Sequence, residues 1–367
     1  MPRRVAVIMA GGAGERFWPL SRRHRPKQLL RLTGDQTMLA ESAERIAALT
    51  GRENVYVVTG EDQAPLVEKA LPDLPRENIL REPIGRDTAA CLALAGAHVC
   101  GGGDDDPTIA VMTADHCIRR VERFEADCRA AFQQAEAHDV LVTFGVRPTR
   151  PETGFGYIEL GEKVAEYEGS TVHHVVRFRE KPNLDTAQAF LEAGNFLWNS
   201  GMFVWRWAVL RAAMREHCPF LARAADEMAA ARGRPDEAPR IRRVFERLPK
   251  LSIDFAVLEH ADNVRCVRAT FDWDDIGTWS ALTRLHPADA DGNVLLGNAV
   301  TIDTAGTIVF SGDGKTDNKA PVVATLGVED LVIVVADDAI LVCHRDQDQR
   351  IKEIVKKLHD SQRDRFC

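Results

Sequence analysis

The chain has 367 residues, 45% of them hydrophobic and 28% charged, the balance of a globular protein with room for one large domain and a smaller one. A formal net charge of −8 leaves no basic stripe to offset a phosphate backbone, which excludes a nucleic-acid partner, although a local Arg/Lys cluster can still receive a small anion. No run approaches the ~18 apolar residues of a membrane span, the N-terminal run is too short for a signal peptide, and the eight cysteines form no Cys-x-x-Cys pair; a cytoplasmic chain with reduced thiols, no zinc site and no membrane contact is expected.

Residues 5–146 alternate strand and helix patterns. Apolar runs predict strands at Val5–Ala10, Val55–Val58, Ile79–Glu82, Thr108–Thr113 and Leu141–Val146. Helical periodicity falls at Met38–Leu49, Gln63–Leu71, Thr88–Val99 and Phe124–His138. Such alternation implies βαβ units, an α/β fold with a Rossmann-like, mostly parallel sheet flanked by helices. In sheets of this kind the ligand sits outside the carboxyl ends of the strands.

The first strand runs into Gly11-Gly12-Ala13-Gly14-Glu15-Arg16, followed by Phe17-Trp18-Pro19-Leu20-Ser21 and Pro26-Lys27-Gln28. Without side chains at Gly11, Gly12 and Gly14, backbone N–H groups can approach a polyanion such as a triphosphate, and Arg16 and Lys27 add positive charge beside it. A dinucleotide fingerprint is excluded because Phe17 stands where the third small residue belongs. A Walker A loop is excluded too: Gly314-Lys315-Thr316 has Val309 at the first position of its frame and reads as a hairpin turn.

Further along, Glu82-Pro-Ile-Gly-Arg-Asp87-Thr88-Ala-Ala90 is a turn feeding a helix, with Asp87 or Thr88 as N-cap. The strand Thr108–Thr113 ends on Ala114-Asp115-His116, placing a carboxylate at the edge where the glycine turn emerges. Two glycines flank Phe155 in Glu152-Thr-Gly154-Phe-Gly156-Tyr-Ile158, which allows close backbone approach. A strand over Thr171–Phe178 leads to Arg179-Glu180-Lys181-Pro182, where Glu180 offers a hydrogen-bond acceptor and Lys181 a point charge. In Trp198-Asn199-Ser-Gly-Met-Phe203-Val-Trp205, Phe203 and Trp205 read as core and Asn199 as the polar exception. Helical segments follow, broken by a Gly233–Pro239 loop, and Ser252 starts a capped helix over 252–259. Phe271-Asp272-Trp273-Asp274-Asp275-Ile-Gly277-Thr-Trp279 is an acidic cluster. After Pro287 the pattern changes to short β-runs over 294–343 and a closing helix at Gln349–Leu358, giving domains at 1–287 and 288–367.

The glycine stretch with Trp18-Pro19-Leu20-Ser21 and Pro26-Lys27-Gln28 resembles the sugar-nucleotide pyrophosphorylases, in particular their mannose-1-phosphate guanylyltransferase branch, over about residues 1–285 and weakly over 290–367. The resemblance implies a GT-A-like nucleotidyltransferase fold with a small β-helical C-terminal domain. It implies transfer of GMP from GTP to α-D-mannose 1-phosphate, giving GDP-mannose and pyrophosphate, with Mg²⁺ held by Asp115 and by Asp275 of the Trp-x-Asp-Ile-Gly-x-Trp motif. It makes Arg16, Lys27, Asp115 and Asp275 the catalytic set and His116 structural, and leaves Asp272 and Asp274 unassigned. Gly11, Gly12, Gly14, Arg16, Lys27, Asp87 and Thr88 are the implied nucleotide site; Gly154, Glu180, Lys181 and Asn199 are the implied sugar-phosphate site. A homodimer through the C-terminal domain is expected, and no cupin-type isomerase domain. Two alternatives stand beside this reading: the same chemistry with ATP or UTP and glucose 1-phosphate, which shares these residues, and a silent nucleotide-sugar sensor, which loss of Lys27, Asp115 or Asp275 would have suggested, although all three are present.

Overall fold

The structure, a computed structural model, describes residues 2–12, 14–100, 105–314 and 320–367. The turn read at Gly314-Lys315-Thr316 runs outside these residues. The apolar runs become a nine-stranded sheet with the spatial order Ile79–Glu82, Val55–Gly60, Arg4–Met9, Thr108–Thr113, Phe196–Arg206, Leu141–Val146, Val264–Arg268, Ser170–Arg179, Tyr157–Tyr167. The first four strands are parallel, as continuous Val/Ile/Ala runs covered on both faces require. Phe196–Arg206 then inserts antiparallel between Thr108–Thr113 and Leu141–Val146, and the far side is mixed. This is the Rossmann-like α/β sheet expected from the pattern.

Register sets the working edge. Met9 is opposite both Val58 and Thr113, and Gly60 is opposite Glu82, so the segments after all four parallel strands leave the sheet at one edge. The helix that follows Glu82, Asp87–Val99, is alanine-rich and buries ten of its residues, the low-volume solution for a helix packed deep against a sheet. It begins at Asp87 itself, in a left-handed conformation (φ 68°), and Arg86 occupies the capping position without a side-chain cap. The N-cap reading for Asp87 or Thr88 is thereby corrected: the capping position falls one residue earlier, and among the described residues the Asp87 carboxylate accepts only from the adjacent Thr88 N–H rather than from a residue two or three further on. Ser252 does cap the turn that follows it, its Oγ accepting from Phe255 N–H at 3.3 Å, but that turn, Asp254–Leu258, is π-helical rather than α-helical, and Glu237–Pro239 belong to the helix Glu237–Arg247.

The chain divides into two compact units, Met1–Gly11 with Ser42–Ala114 and Ile118–Trp273, and Gly12–Glu41 with Asp115–Cys117 and Asp274–Cys367. The first is built on the large sheet. The core of the second joins Phe17, Trp18 and Leu20 to Trp279 and to Ile308, Phe310, Val332 and Val334 of the C-terminal strands. Those strands pair in parallel, Val294–Leu296 with Ile308–Ser311 and on to Leu331–Val335, and Ala299–Ala305 with Val323–Glu329, the rungs of the β-helical domain expected. The glycine loop thus packs on the C-terminal strands: Trp279 Nε1 donates to Trp18 O at 3.3 Å, and Trp18 Nε1 donates to Phe366 O at 2.7 Å.

Candidate active site

In the second unit a cleft of about 430 Å³ is lined by Gly14, Glu15, Arg16, Phe17, Lys27, Asp115, His116, Asp275, Gly277 and Lys352. The four residues expected to be catalytic are therefore brought together. Lys27 is buried beside the ring of Phe17, and its ammonium donates to Asp115 Oδ2 and to the backbone oxygen of Asp275, both at 2.8 Å. Burial pushes the Asp115 carboxyl up, but Lys27 and then His116 outweigh it and hold the group below the ordinary carboxylate range. Arg16 is exposed on the turn Glu15–Phe17, among the described residues without an ion pair, and so can turn its guanidinium to an incoming anion. At Gly11 and Gly12 nothing lies within 4 Å of where a Cβ would be, so the backbone there is open.

The acidic cluster resolves into distinct tasks. Asp272 forms a two-toothed pair with Arg120. Asp274 pairs with Arg284 and accepts the Ile276 N–H at 2.8 Å, and Ile276 is buried with a left-handed φ of 45°. That clamped, strained turn leaves Asp275 on the cleft wall with its Oδ2 against Gly277, where a Cβ would come within 2.9 Å.

The expected sugar-phosphate residues cluster in the first unit. Asn199 N–H donates to Gly156 O at 2.8 Å, Lys181 N–H donates to Phe155 O at 3.2 Å, and a Cβ at Gly156 would lie 2.4 Å from Glu180 Oε2. Lys181 Nζ pairs with Glu180 Oε1 at 2.7 Å. Burial pulls the Lys181 ammonium down, but Glu180, Asp254 and Asp87 together raise it, which puts the Asp87 loop within electrostatic reach of this cluster. Gly154 lies at the margin: it is exposed and its N–H is taken by Glu152 Oε1 at 3.2 Å. On the loop expected to meet the nucleotide, Asp87 is exposed and accepts from Thr88 N–H, while Thr88 Oγ1 accepts from Ile253 N–H at 2.9 Å. Thr88 thereby ties this loop to the turn that carries Asp254.

Three residues escaped sequence reasoning. Glu82 ends its strand with Oε1 buried and unpartnered; burial and then the Asp87 charge push its carboxyl up to about 7. The signal was available, since Glu82 ends a parallel strand just as Asp115 does. Asp254 is buried and accepts from Asn199 Nδ2 at 2.9 Å. Lys352 reaches the cleft from the last helix, Ile351–Asp360, a region in which no motif pointed to chemistry.

A buried lysine paired with an aspartate, under an open glycine turn beyond the first parallel strand, is equipment for gripping a triphosphate and moving a nucleotidyl group, so the class is that of nucleotidyl-transferring enzymes. Comparison narrows it. The chain belongs to the nucleotidyl transferase family, whose model matches residues 5–292, and within it to the mannose-1-phosphate guanylyltransferases. Residues 297–358 match the MannoseP isomerase/GMP-like beta-helix domain. The chain is 40% identical to a mannose-1-phosphate guanylyltransferase of Escherichia coli over 99% of this chain and 75% of that protein. With that of Sinorhizobium fredii (strain NBRC 101917 / NGR234) it shares 36% identity, over 98% of this chain and 68% of the relative. A crystal structure of a mannose-1-phosphate geranyltransferase from Thermus thermophilus superposes with a TM-score of 0.86 at 35% identity, covering 97% of this chain and 99% of that one.

Proposed function

We propose that this chain transfers GMP from GTP to α-D-mannose 1-phosphate, releasing pyrophosphate and forming GDP-mannose. The observation that carries the reading is the Lys27–Asp115–Asp275 constellation in one cleft with Arg16. A phosphate oxygen of the sugar substrate forms the new bond to the α-phosphorus as the α–β bridging P–O bond breaks and pyrophosphate leaves. The attacking oxygen is already anionic, so no covalent enzyme intermediate and no strong base is needed. The residues act by position and charge: Arg16 and the glycine N–H groups hold the triphosphate, and Lys27 meets charge developing on the reacting phosphates.

Asp115 and Asp275 are the residues that would hold a divalent cation, and Mg²⁺ suits them. Mg²⁺ takes one or two protein carboxylates and fills its remaining positions with phosphate oxygens and water, and Asp115 is kept ionised. When bound, the ion neutralises phosphate charge and orients the triphosphate. Among the described residues the group of three close metal-type ligands is His359, Asp364 and Cys367, none of which lines the cleft.

Asp87 and Thr88 would meet the nucleotide, and Gly154, Glu180 and Lys181 the sugar phosphate, with Asn199 set among them. The catalytic module is taken as 1–287 and the C-terminal domain as 288–367, a division supported by the two family matches. A homodimer through the C-terminal domain is supported by an exposed apolar sheet face, Val300 at 55%, Ile302 at 56% and Leu326 at 69% exposure. A cytoplasmic setting is supported by eight cysteines that form no disulfide; among the described residues no helix is long and apolar enough to cross a membrane.

The test is pyrophosphate release over a grid of nucleoside triphosphates and sugar 1-phosphates. GTP with mannose 1-phosphate should exceed ATP with either sugar by ~10² or more in kcat/KM, because hydrogen-bonding acceptors matched to the guanine edge go unpaired against adenine. Equal turnover of ATP and glucose 1-phosphate overturns the guanylyl reading; no pyrophosphate with any pair returns the chain to the sensor alternative.

A further inference from the structure

Asn199 was the polar residue expected to contact the sugar, but its amide is largely consumed inside the protein. Its Oδ1 accepts from Thr143 Oγ1 at 2.9 Å, and its Nδ2 donates to Asp254 Oδ1 at 2.9 Å. The Gly201 N–H also points to that oxygen at 3.4 Å, and because an N–H can only donate, it fixes the orientation of the amide, which a hydroxyl able to donate or accept does not. The amide therefore presents an N–H to one carboxylate, and among the described residues that is the side-chain bond recorded for Asp254.

Asp254 sits on the π-helical turn Asp254–Leu258, an irregularity that costs regular backbone hydrogen bonding and is retained mainly where a side chain must be aimed. The turn is pinned from both ends. Thr88 Oγ1 accepts from Ile253 N–H at 2.9 Å, and Glu259 Oε1 accepts from Glu180 N–H at 2.9 Å, which ties the loop bearing Glu180 and Lys181 to this turn. Asp254 is only 9% exposed and lies beside Glu180, also mostly shielded, whose Oε2 rests against Gly156. Two shielded carboxyls beside one largely exposed lysine leave more acceptor atoms than protein donors. Donors from outside complete such a group, and a sugar ring offers a fan of hydroxyl O–H groups whose directions differ between epimers.

We propose that Asp254 is the residue that reads the hydroxyls of the sugar ring and sets sugar selectivity, with Asn199 acting through it as a positioning residue. Burial, and then the charge of Glu180, push the Asp254 carboxyl up to about 7, so near neutrality this pair does not hold two full charges, and hydroxyl donors favour its ionised form. The inference rests on the guanylyltransferase reading and adds to it the group that separates mannose from its epimers.

The experiment is steady-state kinetics on the full chain with GTP and either mannose 1-phosphate or glucose 1-phosphate, for Asp254→Asn, Asn199→Ala and the double variant. Asp254→Asn is isosteric and keeps an oxygen for Asn199, so its melting temperature should stay near wild type. It should lower kcat/KM for mannose 1-phosphate by about 10², bring the mannose-to-glucose ratio toward one, and leave the KM for GTP within about twofold. Asn199→Ala should act in the same direction, and the double variant should be no worse than Asp254→Asn, because both remove one interaction. A mannose preference undiminished in Asp254→Asn, or effects of the two substitutions that add, overturns the assignment. Should Asp254→Asn fail to fold, Asn199→Ala decides by the same ratio. A wild-type chain that uses neither sugar 1-phosphate overturns the functional reading itself, which separates the two failures.

Discussion

Gly14 and Lys27 meet so closely that a Cβ on Gly14 would sit 2.4 Å from Cβ of Lys27, and Gly14 also has a left-handed φ of 62°. The glycine is thus required twice, for its backbone and for the room it leaves to the lysine. Gly14→Ala should displace Lys27 and lower kcat by about 10²–10³, and Lys27→Met should do the same, since each removes one preorganised charge contact. Stopped-flow or steady-state pyrophosphate release checks this. A Gly14→Ala enzyme with wild-type kcat would mean that the placement of Lys27 does not limit the reaction.

Asp115→Asn and Asp275→Asn should each abolish turnover while leaving a folded protein, because neither side chain is part of an apolar core. The informative measurement is activity against Mg²⁺ concentration. Residual turnover with unaltered Mg²⁺ dependence in Asp275→Asn removes that residue from the metal site.

Lys352 carries the third cation of the cleft from the helix Ile351–Asp360, which packs against the turn Glu15–Phe17. It is exposed, so its substitution should cost little stability. Lys352→Met should raise the KM for GTP by about tenfold with a smaller effect on kcat, the mark of a contact that binds ground and transition state alike. Unchanged KM for GTP would show that the lysine lies too far out to reach the phosphates.

The parallel half of the sheet and the glycine turn were legible because they depend on local rules: apolar runs, strand spacing, and the backbone freedom of glycine. The catalytic four were legible for a related reason, each being a charge at a strand end or inside a distinctive string. Asp254 and Lys352 were not, because what makes them notable is nonlocal. A residue in Ser252-Ile-Asp254-Phe reads as the first turn of a helix until Asn199, 55 positions away, is found donating to it. Lys352 is one charge among several on an amphipathic helix until the strands before it bring that helix to the glycine loop. The aromatic residues of the Trp18 and Trp279 strings were read as markers of a family; physically they are the core that holds the loop, with Phe17 and Trp279 centroids 5.1 Å apart.

The pH dependence of stability follows from Glu82. Its carboxyl is raised from 4.5 to about 7 by burial and then by the Asp87 charge, so the folded chain binds the proton more tightly than the unfolded chain does. The sign is therefore opposite to that of a salt-bridged acid: the contribution to stability is fully present below the unfolded value and is lost as pH rises through the folded one. Ionised Glu82 then costs on the order of 3 kcal/mol above pH 7. Asp254, raised from 3.8 to about 7, acts in the same direction. Glu82→Gln removes the ionisation while keeping the shape. In the ligand-free chain it should therefore raise the melting temperature by several degrees at pH 8, and this gain should vanish below about pH 5. Asp87 is the charge facing Glu82, so Asp87→Asn should reproduce part of the gain over the same pH window. Differential scanning fluorimetry between pH 5 and pH 8.5 measures it. A Glu82→Gln advantage that is the same at every pH would show that the carboxyl stays ionised throughout and that Asp87 does not act on it.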